Sequence, residues 1–81
     1  MKASLAKILY PGMIQLQEMG WVPAKPASEF KIGELIMWNY GHKSRIVRIS
    51  QKTHSTLVFT VESNNKIYTF ERRVKTLTAI G

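Results

Sequence analysis

Residues 56–72, TLVFTVESNNKIYTFER, carry the clearest structural pattern in this sequence. In the first half, apolar residues alternate with polar ones, and a repeat of two is typical of a strand with one face toward a core. These apolar residues are Leu57, Phe59 and Val61. Asn64 and Asn65 follow, and asparagine tolerates the positive φ angles of a tight hairpin turn. The pattern therefore predicts two antiparallel strands, the second over residues 67–72.

Three further segments carry strand signals on either side of this hairpin. Residues 35–38 form a short apolar run before the turn-forming sequence Asn-Tyr-Gly at 39–41, and residues 45–50 are rich in β-branched side chains. Residues 77–80 complete the set. Five short strands are too few for a sandwich, whereas a small, strongly bent barrel removes exposed edges with few residues. We therefore predict a mainly β protein built on a five-stranded barrel.

The first 27 residues have a different character. Apolar residues at helical spacing behind Ser4 predict a short helix that ends at Pro11-Gly12. Residues 13–19 fit neither the helical nor the strand period cleanly and end at Gly20, so one or two short helices are predicted before residue 20. Residues 23–26, Pro-Ala-Lys-Pro, indicate an extended connector, because proline disfavours helix in the residue before it. We expect an N-terminal helical or irregular extension over residues 1–27 and the β-barrel over residues 28–81.

The start of the β unit, SEFKIGELI at residues 28–36, resembles the beginning of SH3-like barrels, and WNYG at 38–41 with RIVRI at 45–49 resembles their first hairpin. Residues 28–80 also look like short accessory proteins encoded by bacteriophages. The resemblance implies an SH3-like fold. Such barrels serve as nucleic-acid binders, peptide binders and assembly modules, so the function depends on the surface rather than on the fold.

Length and composition limit the classes of protein to consider. The chain has 81 residues, of which 44% are hydrophobic and 21% charged, so it has the composition of one small globular domain. It contains no cysteine, and no apolar run approaches the roughly 20 residues of a membrane span. We expect a soluble, cytoplasmic protein with no membrane partner, in the host cytoplasm if a bacteriophage encodes it.

Positive charge is concentrated in the second half of the chain. Residues 1–41 contain four lysines and three glutamates, a net charge of +1, whereas residues 42–81 contain eight basic and two acidic residues, a net charge of +6. All four arginines lie in that second half. Arginine is planar and weakly hydrated, and its fork of donors suits phosphate, so the asymmetry indicates a phosphate-binding surface. A surface kept soluble by its net charge is the alternative explanation.

Basic residues interleaved with aromatic ones are the candidate binding residues. They are Tyr40, Lys43, Arg45, Arg48, Arg72, Arg73 and Lys75. We expect Tyr40 to be an exposed ring, Trp38 to lie in the core, and Arg48 to project from the face opposite Arg45. Tyr68 and Phe70 alternate with Arg72 on one face of their strand, and both rings are expected to pack in the barrel.

The sequence lacks the residues from which a hydrolytic site is usually built. It has no aspartate and no cysteine, and its five glutamates are scattered. His42 and His54 lie in or beside predicted turns without acidic neighbours, which is typical of exposed histidines rather than of metal ligands. The glycines do not form a phosphate-binding loop. We therefore expect a non-enzymatic protein without a cofactor or a metal.

Two functions fit these features. The first is a nucleic-acid-binding module that contacts DNA or RNA through phosphates, with little sequence specificity. The second is a phage-type accessory or inhibitory protein that binds an acidic surface of a host protein. Exposed edge strands can also pair with a second copy of the chain, so a homodimer is compatible with the sequence.

Overall fold

The computed structural model describes residues 12–81 and shows seven strands in this part of the chain. They are β1 (Met13–Leu16), β2 (Gly20–Pro26), β3 (Leu35–Met37), β4 (Lys43–Thr53), β5 (Thr56–Ser63), β6 (Lys66–Arg73) and β7 (Leu77–Ala79). Two short 3-10 turns, Ala27–Glu29 and Asn39–Gly41, are the helical elements of the described residues, which contain no α-helix. The prediction of a mainly β protein is confirmed.

The helix predicted over residues 13–19 is wrong. This segment begins an antiparallel hairpin in which Ile14 pairs with Val22, and the turn uses positive φ angles at Glu18 (66°) and Gly20 (70°). Val22 is buried, so pairing with β2 gives β1 both a hydrogen-bonding partner and a place against the apolar interior. Tertiary pairing outweighs the helix propensity of methionine, leucine, glutamine and glutamate in this segment. The helix predicted behind Ser4 lies outside the described residues.

The proline-containing segment at residues 23–26 is extended, as expected, but it is a sheet strand rather than a connector. The first half of β2 pairs with β1, and Ala24–Pro26 pairs with β7. Each half of β2 therefore pairs on one side only for most of its length. A strand that pairs on one side accommodates prolines, which lack an N–H donor. The carbonyl of Pro23 accepts a hydrogen bond from the Ile80 N–H at 2.9 Å. The domain boundary between residues 27 and 28 stays a prediction.

The strands form two sheets, and neither closes into a barrel. One sheet has the order β1-β2-β7 and the other β3-β4-β5-β6, with all neighbours antiparallel. A single bridge between Ile36 and Ile80 links them. All five strands predicted after residue 30 are present, but the last one pairs with β2 instead of completing a five-stranded barrel. β3 is only three residues long and offers little edge for closure.

The core lies on one face of the four-stranded sheet, which we call the inner face. Its most buried large side chains are Phe59, Ile36, Ile46 and Val61. Phe30 packs edge-on against Phe59 at 6.5 Å between ring centroids, and Phe70 stacks on the other side at 5.5 Å. The opposite face of the same sheet, the outer face, is open to solvent.

A β-bulge in β4 changes which residues reach the outer face. Ile46 pairs with Val61 and Arg48 with Thr60, so Val47 has no pairing partner in β5. Because Glu62, the partner of Arg45, lies two residues from Thr60, Arg45 and Arg48 point to the same face. The prediction that they would occupy opposite faces is wrong, since it assumed an uninterrupted repeat of two.

Candidate functional site

Three basic residues of β4 share the outer face. Lys43 and Arg45 alternate with the buried Ser44 and Ile46, and the bulge adds Arg48 to the same side. All three basic side chains are exposed. We call Lys43, Arg45 and Arg48 the basic strand. Its residues form a row along one strand rather than a cluster around a single point, and a row of cations suits a linear polyanion.

The basic strand keeps its charges free of carboxylates in the described part of the chain. The two ion pairs found among residues 12–81 join Lys25 to Glu34 and Lys52 to Glu71. Glu62 faces Arg45 across the strand pair but lies outside ion-pair distance. Arginines that form no ion pair are available to an external anion.

Lys43 and Arg45 also line a polar cleft of about 280 Å³ at the turn between β5 and β6. The turn residues Asn64 and Asn65 have φ angles of 52° and 63°, as the sequence predicted for a tight hairpin. The Ser63 hydroxyl donates a hydrogen bond to the Lys43 carbonyl at 3.1 Å, which ties the turn to the basic strand. Two cations and two side-chain amides thus surround one cleft, which also contains the carboxylate of Glu62. We call it the cationic cleft.

A second concavity of about 440 Å³ lies on the other side of the same turn. Its walls include three aromatic rings and one guanidinium, from Trp38, Tyr68, Phe70 and Arg72. We call it the aromatic groove. Ser63 and Asn64 line both concavities, so the groove and the cationic cleft adjoin each other across this turn.

The rings of the aromatic groove are held in defined positions. The Trp38 indole N–H donates to the hydroxyl of the buried Ser44 at 2.9 Å, and Trp38 meets Phe70 edge-on at 5.1 Å between centroids. The Arg72 guanidinium carbon lies 4.9 Å from the Phe70 ring centroid and 5.6 Å from that of Trp38. Such cation–π contacts orient the arginine along the groove. The face predicted for Phe70 and Arg72 is confirmed.

Tyr68 differs from the prediction that it would pack in the interior. It shares the inner-face register of Phe70 but is 51% exposed, because β6 is an edge strand and none of the strands in residues 12–81 pairs with its free edge. Trp38 packs partly against the core, as predicted, and also lines the groove. The periodicity of the sequence placed these rings on one face, but it gave no sign that the face opens into a groove.

The remaining predicted residues lie elsewhere. Tyr40 is 56% exposed, as expected, but it lines neither concavity: its backbone N–H binds the Gln17 carbonyl at 2.8 Å beside the β1–β2 turn. Arg73 and Lys75 are exposed at the far end of β6, where Val74 bonds to Ser55 of the β4–β5 turn. At about 3.3 Å per residue, roughly 20 Å of strand separates that end from the cationic cleft.

The clearest electrostatic perturbation in the described residues lies outside these concavities. Lys25 donates to Glu34 at 2.7 Å, and the Lys31 backbone N–H donates to the other carboxylate oxygen at 2.6 Å. The Lys25 hydrogen bond is the largest effect and lowers the pKa of Glu34; burial opposes it, and the Lys31 hydrogen bond with the two positive charges keeps the pKa below its ordinary value. This pair stabilises the loop before β3.

Metal-ligating side chains and the length of helices are two further features of residues 12–81. No three histidine, cysteine or acidic side chains cluster there as metal ligands, and His42 lies at the aromatic groove while His54 lies in the β4–β5 turn. In the same residues no helix has the length and apolar character needed to cross a bilayer.

Comparison with known proteins gives no family to which the chain is similar. No protein-family description, no curated protein and no solved structure matches it. Its function is therefore inferred from the charges, rings and concavities of the chain itself.

Proposed function

We propose that this protein is a non-enzymatic nucleic-acid-binding module with little sequence specificity. The observation that carries the proposal is the basic strand, in which Lys43, Arg45 and Arg48 share one exposed face without an ion pair to any described carboxylate. Phosphate contacts from such residues supply affinity that does not depend on base sequence. The net charge of +7 adds long-range attraction to a polyanion.

The order of strands supports the further proposal that the fold is related to SH3-like barrels. β4, β5 and β6 form a meander, and β7 then returns to pair with β2 near the other end of the chain. The bridge between Ile36 and Ile80 brings the two sheets together as partial closure would. This relationship concerns the fold alone, because SH3-like barrels have many functions.

Fluorescence anisotropy with labelled DNA and RNA at several salt concentrations tests the binding proposal. We expect the logarithm of the binding constant to fall linearly with the logarithm of the salt concentration, because bound cations are released from the nucleic acid. The double variant Arg45→Ala/Arg48→Ala removes two contacts and is expected to lower the salt slope by about 1.4 on a single strand, at about 0.7 per phosphate.

The double variant Arg73→Ala/Lys75→Ala is the matched control. It removes the same charge from the far end of the sheet and is expected to change the slope much less. Equal effects of the two double variants would show that net charge alone attracts nucleic acid. Absence of binding at low salt would overturn the proposal.

The alternative, docking on an acidic protein surface, draws support from apolar residues on the outer face. Ile67 is 63% exposed beside Glu62, the partner of Arg45, and Val47 is exposed at the bulge. Apolar side chains among arginines are a feature of protein interfaces. A complex with one host protein that survives nuclease treatment, together with absence of nucleic-acid binding, is the outcome that would favour this function.

A further inference from the structure

We propose that the aromatic groove binds a nucleobase while the adjoining cationic cleft binds a backbone phosphate, so that the preferred ligand is single-stranded nucleic acid. The inference rests on the proposed function and adds to it the strand type and the site. It is carried by the adjacency of the two concavities, which share Ser63 and Asn64 as a common wall.

The groove has the chemistry of a stacking site. Tyr68 presents a half-exposed ring to the space that Trp38 and Phe70 also line, and Arg72 adds a planar guanidinium held against the Trp38 and Phe70 rings. Bases stack on aromatic rings and on arginine planes regardless of base identity, because every base has a π face. The site therefore fits a base without selecting a sequence.

The polar side chains of the groove allow a base edge to form hydrogen bonds. His42 lines the same space, and Asn64 stands where the groove meets the cleft. The Trp38 N–H is already bound to Ser44, so the indole contributes its ring rather than its donor. These groups suffice to hold a base but do not form the paired donors and acceptors that read one base edge.

The cationic cleft adds positive charge beside that of Arg72 in the groove. Lys43 and Arg45 bring two positive charges, against one carboxylate from Glu62, and Asn65 adds an amide. A sugar–phosphate backbone that crosses the Ser63–Asn64 wall carries its base on one side and its phosphate on the other. Charge complementarity thus favours a nucleotide over an apolar peptide or a second copy of this basic chain.

The preference for single-stranded over double-stranded nucleic acid follows from how accessible the faces of the bases are. In a duplex each base is stacked between its neighbours, so a ring of the protein cannot reach its face without unstacking. A single strand exposes those faces at little cost. The groove therefore adds affinity for single strands only, whereas the basic strand of β4 binds phosphates of either kind.

The experiment compares three labelled probes of equal charge: an oligodeoxythymidine strand, an abasic strand of the same length and a short duplex with the same number of phosphates. Wild-type protein is expected to bind the oligodeoxythymidine at least tenfold more tightly than the abasic strand, the ratio that corresponds to loss of one stacked base. Tyr68→Ala is expected to remove most of this preference and to leave the salt slope unchanged, because the ring carries no charge.

Two variants serve as controls for Tyr68→Ala. Tyr68→Phe keeps the ring and is expected to bind like wild type, and Ile67→Ala changes the neighbouring exposed residue on the outer face. Circular dichroism checks the fold of each variant. Because Tyr68 is half exposed, its truncation is expected to leave the sheet intact.

The outcomes separate the inference from the proposed function. Equal affinity for the abasic strand and for oligodeoxythymidine, or equal losses from Tyr68→Ala and Ile67→Ala, would overturn the groove as a base site while salt-dependent binding still supports a nucleic-acid module. Absence of binding to all three probes would overturn both. A preference for oligodeoxythymidine that Tyr68→Ala removes and Tyr68→Phe retains supports both.

Discussion

Arg45 and Arg48 lie on the same face of β4 although two residues, Ile46 and Val47, lie between them, a spacing that puts residues of a regular strand on opposite faces. The bulge at Val47 absorbs one residue, so the alternation of the strand restarts with Arg48 outward and Ile49 toward the core. Without this irregularity one of the two arginines would point into the hydrophobic interior. The bulge therefore creates the exposed row of cations on which the proposed function rests.

The bulge predicts which deletion the protein tolerates. Deletion of Val47 leaves Ile46 inward and Arg48 outward, so we expect a folded protein that still binds nucleic acid. Deletion of Thr60 from β5, a change of the same length, reverses every later side chain and turns Val61 outward. We expect that variant to lose several kcal/mol and to be largely unfolded. Urea denaturation followed by circular dichroism measures both. Equal destabilisation would contradict the assigned register.

The hydrogen bond between Trp38 and Ser44 predicts a measurable coupling. Ser44 is buried, and Ser44→Ala leaves the indole N–H without its partner, which we expect to cost about 1–2 kcal/mol of unfolding free energy. In a Trp38→Phe background the same change is expected to cost much less, because no donor is left unpaired. A double-mutant cycle by urea denaturation measures the difference. Additive effects would show that the bond contributes nothing to stability.

The turn between β5 and β6 predicts opposite effects for two small substitutions. Asn65 has a φ angle of 63°, which glycine adopts freely and alanine only at a cost. We expect Asn65→Ala to lower the unfolding free energy by about 1 kcal/mol and Asn65→Gly to leave it unchanged or raise it slightly. Thermal unfolding is the measurement. Lys66→Ala, at the next position, serves as the control, and a similar loss from all three would argue against strain at the turn.

The Lys25–Glu34 pair predicts a dependence of stability on pH. Because the pKa of Glu34 is lower in the folded protein, its stabilising effect is complete above the ordinary value of 4.5 and is lost as pH falls through the lowered pKa. Glu34→Gln is expected to flatten the fall in stability below about pH 4.5. The effect is expected to be below about 1 kcal/mol, since water reaches the pair.

Urea denaturation at several pH values measures this effect. Glu29→Gln, which removes the same charge from an exposed residue of the Ala27–Glu29 turn, is the control. An identical pH profile for Glu34→Gln and wild-type protein would show that the pair does not contribute to the acid sensitivity of the fold.

The candidate site was predictable only in part. Exposure of Lys43, Arg45 and Arg48 follows from their charge, and the common face of Phe70 and Arg72 follows from their spacing. The sequence does not predict that these residues divide into a basic strand and an aromatic groove, because the division depends on how β5 and β6 pair and on the open edge of β6. Arg73 and Lys75 are close to Arg72 in sequence, yet they lie outside both concavities.

The sequence by itself determined the strands from residue 35 onward and the hairpin at Asn64-Asn65. Alternation and turn chemistry act over a few neighbouring residues, so a local pattern suffices to predict them. Three features could not be predicted in this way: the β1–β2 hairpin, the bulge at Val47 and the pairing of β7 with β2. Each depends on hydrogen bonds and packing between segments far apart in the chain, and such partners leave no signature in the local sequence.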